Sequence, residues 1–291
     1  MDERKNRISW LGQVKVYVGK CFRLFVNEKQ WKNFVTTLIL MGIISLVTGK
    51  EMFSSFQDTK YGVFTIICGC VWVGLFNSIQ SICRERPIIK REHRTGLKLS
   101  AYITAHAIYE AFLCAIEALI ILLVLYAKDG ERIDGDGLVF TPFFDLYFTF
   151  FLVIFGSDAI AVFVSSLVRK ENTAMTIMPF VLIVQLVMSG AIFHLEGAME
   201  TFSNVTVSKW GLDASLRVAN TSRWLYDDPG NMKECYVGYC RYMRENNLTP
   251  ISAEPETEAL LAAWGVMTLL TILFLIGSVL VLRLVDRDKR I

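Results

Sequence analysis

The sequence predicts an all-α integral membrane protein with six transmembrane helices, introduced by an amphipathic helix that lies at the interface. Three observations lead there. Apolar residues make up 53% of the 291 and mean hydropathy is +0.42, above what an ordinary globular domain carries. Those residues gather into runs on the scale of the roughly 20 needed to cross a hydrocarbon core. The charged residues lie mostly between the runs. With a net charge of only +2, the chain has no general basic character, which makes nucleic acid a poor candidate partner.

Residues 1–33 come first. Ile8, Leu11, Val14, Val18, Phe22 and Phe25 recur at steps of three and four, while Lys15, Lys20 and Arg23 fall away from that stripe. This is the pattern of a helix lying in the headgroup layer. Its charged interruptions, and the lack of a small-residue cleavage pattern after it, argue against a signal peptide.

The spans follow. Residues 34–193 hold five: Phe34 to Thr48, Tyr61 to Ile82, Ala101 to Tyr126, Phe143 to Val168, and Thr173 to Phe193, the last with Pro179 inside it. The first is short and relies on Lys32 and Lys50 snorkelling at its ends. After an outer segment at 194–256, residues 257–291 supply the sixth span, Ala259 to Leu282, and a basic tail. With the N-terminus placed inside, 20 of the 30 Lys and Arg fall on the inner side. This distribution predicts that both termini are cytoplasmic; the chain is expected in the cell membrane.

Between the second and third spans lies a dense charged segment, Cys-Arg-Glu-Arg-Pro-Ile-Ile-Lys-Arg-Glu-His-Arg-Thr-Gly-Leu-Lys, residues 83–98. Glu85 and Glu92 are seven apart and therefore share one helix face. Pro87 reads as the start of that helix and Gly96 as its stop. Charge alone would serve to orient the chain; the acid pair and the two helix punctuators go beyond that need.

The outer segment contains two stretches too short to cross, one after Met188 that is broken by His194 and Glu196, and another from Val205 to Val218. They read as re-entrant or interfacial helices, which exist at membrane depth only where protein or water satisfies the backbone. Beyond Trp224 the segment turns polar and reads as a small external cap. Cys235 and Cys240 are its two cysteines, placed for a local disulfide in an oxidising compartment.

Sites of chemistry are largely missing from the sequence. Thr48-Gly49-Lys50-Glu51 lacks both the upstream glycine and the following hydroxyl of a phosphate-cradling loop. No nucleophile stands at recognisable spacing from a base, and His93, His106 and His194 have no metal-ligand spacing with the cysteines. The chain thus reads as a non-enzyme without a cofactor of its own. What remains are acids inside the bilayer, Glu110 and Glu117 two turns apart on the third span and Asp158 in the fourth. Such acids face a bundle interior or a cavity. They serve either as hydrogen-bond acceptors that hold helices together or as the ion-binding groups of a secondary transporter. A membrane anchor whose inner loop docks a partner is a third reading.

Taken together, the amphipathic first helix, the six spans, the Arg84 to Leu97 segment and the re-entrant pieces before the last span resemble the membrane domain of the G-type (white-like) ABC exporters. The likeness covers nearly the whole chain. Its most specific part is Glu85, Glu92 and Gly96, which match that family's coupling helix, at about residues 84–98. The resemblance implies a permease subunit that moves a hydrophobic or amphipathic cargo by alternating access. ATP and Mg would be used by a nucleotide-binding subunit, either separate or missing from the N-terminus here, and a second membrane subunit would complete the pathway. It also implies that Arg84, Glu85, Arg86, Lys90, Arg91, Glu92 and Arg94 grip the ATPase. Cargo would pass beside Cys70, Val73, Gly74 and Asn77 of the second span and Met178, Val181, Leu182 and Gln185 of the fifth.

Overall fold

The computed structural model describes residues 8–48, 56–129, 137–193, 195, 197–219 and 257–287. The outer-segment residues His194, Glu196, Cys235 and Cys240 lie outside the described residues. Ten helices account for the regular structure among those described: α1 Trp10–Asn27, α2 Lys32–Val47, α3 Phe56–Ser78, α4 Ser81–Arg94, α5 Leu99–Asp129, α6 Pro142–Leu167, α7 Glu171–Val187, α8 Ala198–Ser203, α9 Val207–Val218 and α10 Thr257–Arg287. The protein is an all-α membrane protein. Four helical segments are long and apolar enough to cross a bilayer unaided, α3 running on into α4, α5, α6 and α10. The two remaining expected spans are shorter than these, 16 residues in α2, as its short apolar run implies, and 17 in α7, where the chain turns at Met188 instead of continuing to Phe193.

At the centre is α6. Its small and apolar residues, from Leu146 through Ile154 and Gly156 to Ser166, are buried along nearly its whole length, and α3, α5, α9 and α10 pack around it. Lipid tails are as apolar as leucine, so close packing and interhelical hydrogen bonds hold such a bundle together. Gly74 is one such contact: a Cβ there would stand 2.2 Å from the Ile154 carbonyl oxygen, so α3 and α6 approach at a distance only glycine permits. Trp264 donates to Thr149 at 2.9 Å, tying α10 to α6, and Tyr147 donates to the Ala115 carbonyl at 3.2 Å, tying α6 to α5. Interhelical bonds of this kind contribute on the order of 0.6–2 kcal/mol each.

Both ends of α6 are built by local chemistry. Thr141 caps the helix by accepting from Phe144 N–H, and Pro142 occupies the first turn, where its missing N–H costs nothing. Asp145 accepts from the N–H groups of Leu138, Val139 and Phe140 at 2.9 to 3.2 Å, folding the preceding loop over the helix start.

The short helix α9 forms within the stretch from Val205 to Val218, expected to be re-entrant or interfacial. Val207, Ser208, Gly211, Leu212, Ala214, Ser215, Leu216 and Val218 are all buried, in the space left by α3, α6, α7 and α10. Gln185 of α7 accepts from the Ser208 N–H at 3.3 Å, and the Ser208 hydroxyl donates to the Gln185 carbonyl. This fixes the start of α9 to α7 and supplies partners for polar groups at depth.

Candidate functional site: the charged helix and its supports

The charged segment forms α4, which differs in one respect from the sequence expectation. It starts at Ser81, and Pro87 lies inside it rather than at its start. The true start is held by Ser165 of α6, whose hydroxyl accepts from Ile82 N–H at 3.2 Å and Cys83 N–H at 3.1 Å. These are two of the donors a helix start leaves without an intrahelical partner. The stop is as expected: Gly96 takes φ +114°, a conformation that favours glycine, and the chain turns there into α5.

Two faces of α4 do different work. Its inner face is built into the membrane domain. Glu85 accepts from Lys20 of α1 at 3.2 Å and from the Tyr102 hydroxyl of α5 at 2.8 Å. Glu92 accepts from the Tyr17 hydroxyl. Burial, and then this bond to Glu92, push the Tyr17 phenol well above its ordinary range, so it remains a donor. Arg86 donates to the carbonyls of Val168 and Ser166 at the end of α6, at 2.5 and 3.1 Å. Arg84 grips Glu28, just past α1, at 2.7 Å. Through these contacts α4 is joined to α1, to the start of α5 and to the C-terminal end of α6.

The outer face presents Ile88, Arg91, His93 and Arg94, with Lys90 half-buried beside them and Lys98 exposed in the turn that follows. Of the seven residues predicted to grip a partner, Glu85, Arg86 and Glu92 therefore point their contacts into this chain, Arg84 pairs across to Glu28, and Arg91 and Arg94 are free to face outward. Sequence reasoning had no means to find Tyr17, Lys20, Tyr102 or Ser165, because their partners are 17 to 83 positions away along the chain.

The amphipathic helix is also more integrated than its pattern suggests. Ser9 caps it by accepting from Gly12 N–H. Val14 is buried against Ala101 and Ala105 of α5, with Trp10, Tyr17 and Val18 around them, while Ile8 and Leu11, placed on the apolar stripe by sequence, are exposed. Trp10 donates to Ser100 at 3.1 Å, and Gln13 bridges the Gly96 carbonyl and the Lys98 N–H. A 69° bend then separates α1 from α2. At this elbow Gln30 accepts from the Tyr109 hydroxyl at 2.6 Å.

The predicted cargo-path residues occupy packing positions. Cys70, Val73 and Gly74 are buried, Asn77 donates to Glu117 at 2.7 Å, and Met178 and Gln185 are buried on α7, with Val181 and Leu182 half-buried. Among the large apolar side chains those helices expose are Trp72 and Phe76 of α3, stacked at 5.0 Å, and Phe180, Ile183 and Val184 of α7. The intramembrane acids Glu110, Glu117 and Asp158 are all buried.

With this arrangement in view, comparison with known families is decisive. The ABC-2 type transporter membrane family matches residues 12–217, from α1 to the end of α9. The chain belongs to that family. This membrane region of an ABC transporter is also 22% identical over 214 residues to the ABC transporter ATP-binding/permease protein Rv1747 of Mycobacterium tuberculosis. The alignment covers 70% of this chain and 25% of that protein, so the chain spans about a quarter of the length of the relative it matches. The G-type architecture read from the sequence is consistent with the family found, and the ABC-2 permease is a transport component.

Proposed function

We propose that this ABC-2 permease is one of two membrane subunits of an ATP-driven exporter, and that its α4 receives the push of a nucleotide-binding partner. The partner would hold ATP and Mg; the relative's name joins ATP-binding and permease in one protein, and here the two would work together in the same way. One observation carries the reading: α4 is fastened on its inner side to three elements and offers Ile88, Arg91 and Arg94 outward. A rigid lever must be held on one side and free to be gripped on the other. The guanidinium groups suit carboxylates on the partner's surface, and Ile88 suits an apolar notch between them.

In this scheme both termini lie on the cytoplasmic side with α4, in the cell membrane, with α2 and α7 completing six spans. Cargo would move between the α3 and α7 faces of the two subunits, along Trp72, Phe76, Phe180 and Ile183. Cys70, Val73, Gly74, Asn77, Met178, Val181, Leu182 and Gln185 stand behind that wall and set its position. Such a wall is aromatic and aliphatic, which suits a hydrophobic or amphipathic cargo.

The test is purification from native membranes in mild detergent, with wild type beside the Arg91→Glu/Arg94→Glu variant. A nucleotide-binding subunit is expected with the wild type at one copy per membrane chain, and depleted with the variant, whose own gel-filtration profile stays unchanged. Equal recovery of the ATPase with both would remove α4's outer face as the docking surface.

A further inference from the structure

The contacts described so far leave one set of groups unused. Among the described residues, four buried side-chain oxygens have no hydrogen-bond partner: Glu110 Oε2, Ser157 Oγ, and both carboxyl oxygens of Asp158. They sit on α5 and α6, which pack against each other. Glu110 is 3% exposed and Asp158 is fully buried. Orphan acceptors at such depth are costly, and a buried ionised carboxylate without a partner costs several kcal/mol even after relaxation.

Nearby groups relieve this only in part: the Ser78 hydroxyl of α3 faces the carboxyls of both Glu110 and Asp158, and one hydroxyl has a single proton to donate. Glu117, one more buried acid on α5, already accepts from Asn77. His106 stands 3.7 Å from Glu110 Oε1, while its Nε2 is also 3.5 Å from the Ser78 hydroxyl. From the other packed elements the ionisable groups facing the cluster are Cys21 on α1 and Glu85 on α4, with Tyr109 and Cys114 on α5 itself; α2 and α3 bring Thr37, Asn77 and Ser78. None of these brings a lysine or arginine to Glu110. The acids are not grouped as a metal site either.

One wall of the cluster is open. A cavity of about 410 Å³ lies beneath the α1–α2 elbow, and Glu110, His106 and Asn77 form part of its lining. Towards its other end the lining is Glu28, Lys29, Lys32 and Arg84, at the level of α4. With a water's share of volume near 30 Å³, the space accommodates a chain of several molecules between polar walls.

We propose that Glu110, with Asp158 beside it, is a proton-binding site of this chain, loaded through that cavity from the α4 side of the membrane. A hydronium ion in the cavity gives its proton to the Glu110 carboxylate and leaves as water; the carboxylate becomes a carboxylic acid, and the new O–H adds a donor to a cluster that has more acceptor oxygens than donors. Proton occupancy neutralises one of three clustered buried acids and ties α5 to α6, so cytoplasmic acidity sets how firmly the bundle is closed. The site does not require the docking role proposed for α4, and it is read out separately from transport.

Membranes containing the full chain are treated with dicyclohexylcarbodiimide, an apolar reagent for protonated carboxyls, over a range of pH, and the adduct is located by peptide mass spectrometry. Infrared spectra of the purified protein follow the protonated-carboxyl band over the same range. Expected are an adduct on Glu110 and a carboxyl band that both diminish as pH rises, and that are both lost in Glu110→Gln, with Asp158→Asn altering the band's pH midpoint. Glu110→Gln is the isosteric stand-in for the protonated acid, so it is expected to retain the wild-type gel-filtration profile. No adduct and no band at any pH would overturn the site. A band of constant size across the range would overturn loading through the cavity, since it would mean a sealed proton.

Discussion

Two glutamate pairs in this chain have the same spacing and opposite surroundings. Glu85 and Glu92 on α4 are seven apart, as are Glu110 and Glu117 on α5, and in each case the helix repeat puts both acids on one face. On α4 that face meets α1, where Tyr17 and Lys20 are three apart, so a donor stands opposite each acid, and Tyr102 adds one more. On α5 the face meets helices whose nearby polar groups are Thr37, Asn77 and Ser78, and Glu117 is bonded while Glu110 keeps an unpartnered oxygen. Spacing determines the face. Whether the acid becomes an anchor or a reservoir for a proton is decided by the element that packs against it.

The sharpest way to break this comparison is to invert the charge on the well-partnered pair. In Glu85→Lys an ammonium meets Lys20, and Tyr102 loses its acceptor, an expected loss of about 1–3 kcal/mol because a part-buried group is left unsatisfied. The thermal midpoint in detergent reads this, and coupled ATPase activity with the partner is expected to fall with it. Adding Lys20→Glu restores the opposite-charge pair and more than half of the loss. A Glu85→Lys chain as stable as wild type would mean that α4 is not anchored through this acid.

The next effect runs in the opposite direction on the two helices. Glu92→Gln is expected to cost about 1 kcal/mol, through a weaker bond from Tyr17. Glu110→Gln and Asp158→Asn remove buried charge that no Lys or Arg pairs, and are expected to be neutral or stabilising. Midpoints for the three variants, measured side by side, give the order; a larger loss at Glu110 or Asp158 than at Glu92 would reverse the assignment of roles.

Much of the fold was legible because membrane depth leaves few choices. The long apolar runs became α3, α5, α6 and α10, and the half-amphipathic stretch from Val205 became the buried α9 almost residue for residue. Where the reading missed, the deciding partner was remote. Proline is expected at a helix start, yet Ser165, more than 80 residues on, satisfies the backbone at Ile82 and Cys83 and lets α4 begin six residues before Pro87. Leu11 fits the apolar stripe by period, but α5 offers its small residues Ala101 and Ala105 to Val14 instead. Periodicity identified the face of α3 that carries Cys70, Val73 and Gly74; only the position of α6 shows that this face is filled within the same chain.

Smaller effects concern how α4 is closed off at its end. Gly96 holds φ +114°, so Gly96→Val is expected to cost about 1–2 kcal/mol of strain, and to loosen the bridge that Gln13 makes to the Gly96 carbonyl and Lys98 N–H. Hydrogen exchange across residues 92–100 would register this as faster exchange confined to the turn. Protection equal to wild type would mean that the turn tolerates a side chain and does not set the register between α4 and α5.

The smallest expected effect separates the elbow from both acid pairs. The Arg84 hydrogen bond, helped by its charge, holds the Glu28 carboxyl below its ordinary range, and burial opposes this only in part. A carboxyl lowered in the folded state contributes stability that is present above its unfolded value, about 4.3, and is lost as pH falls through the folded one. Glu28 is well exposed, so the contribution stays below about 1 kcal/mol and is screened by salt. The gap in thermal midpoint between wild type and Glu28→Gln is therefore expected to be open at neutral pH, to shrink in high salt, and to close on acidification below the carboxylate range. Loading of the bundle site follows the opposite sign, since protons are gained there as pH falls. A gap at Glu28 that widened with acid would mean that the elbow and the buried acids titrate as one unit, and the contrast between the two regions would no longer hold.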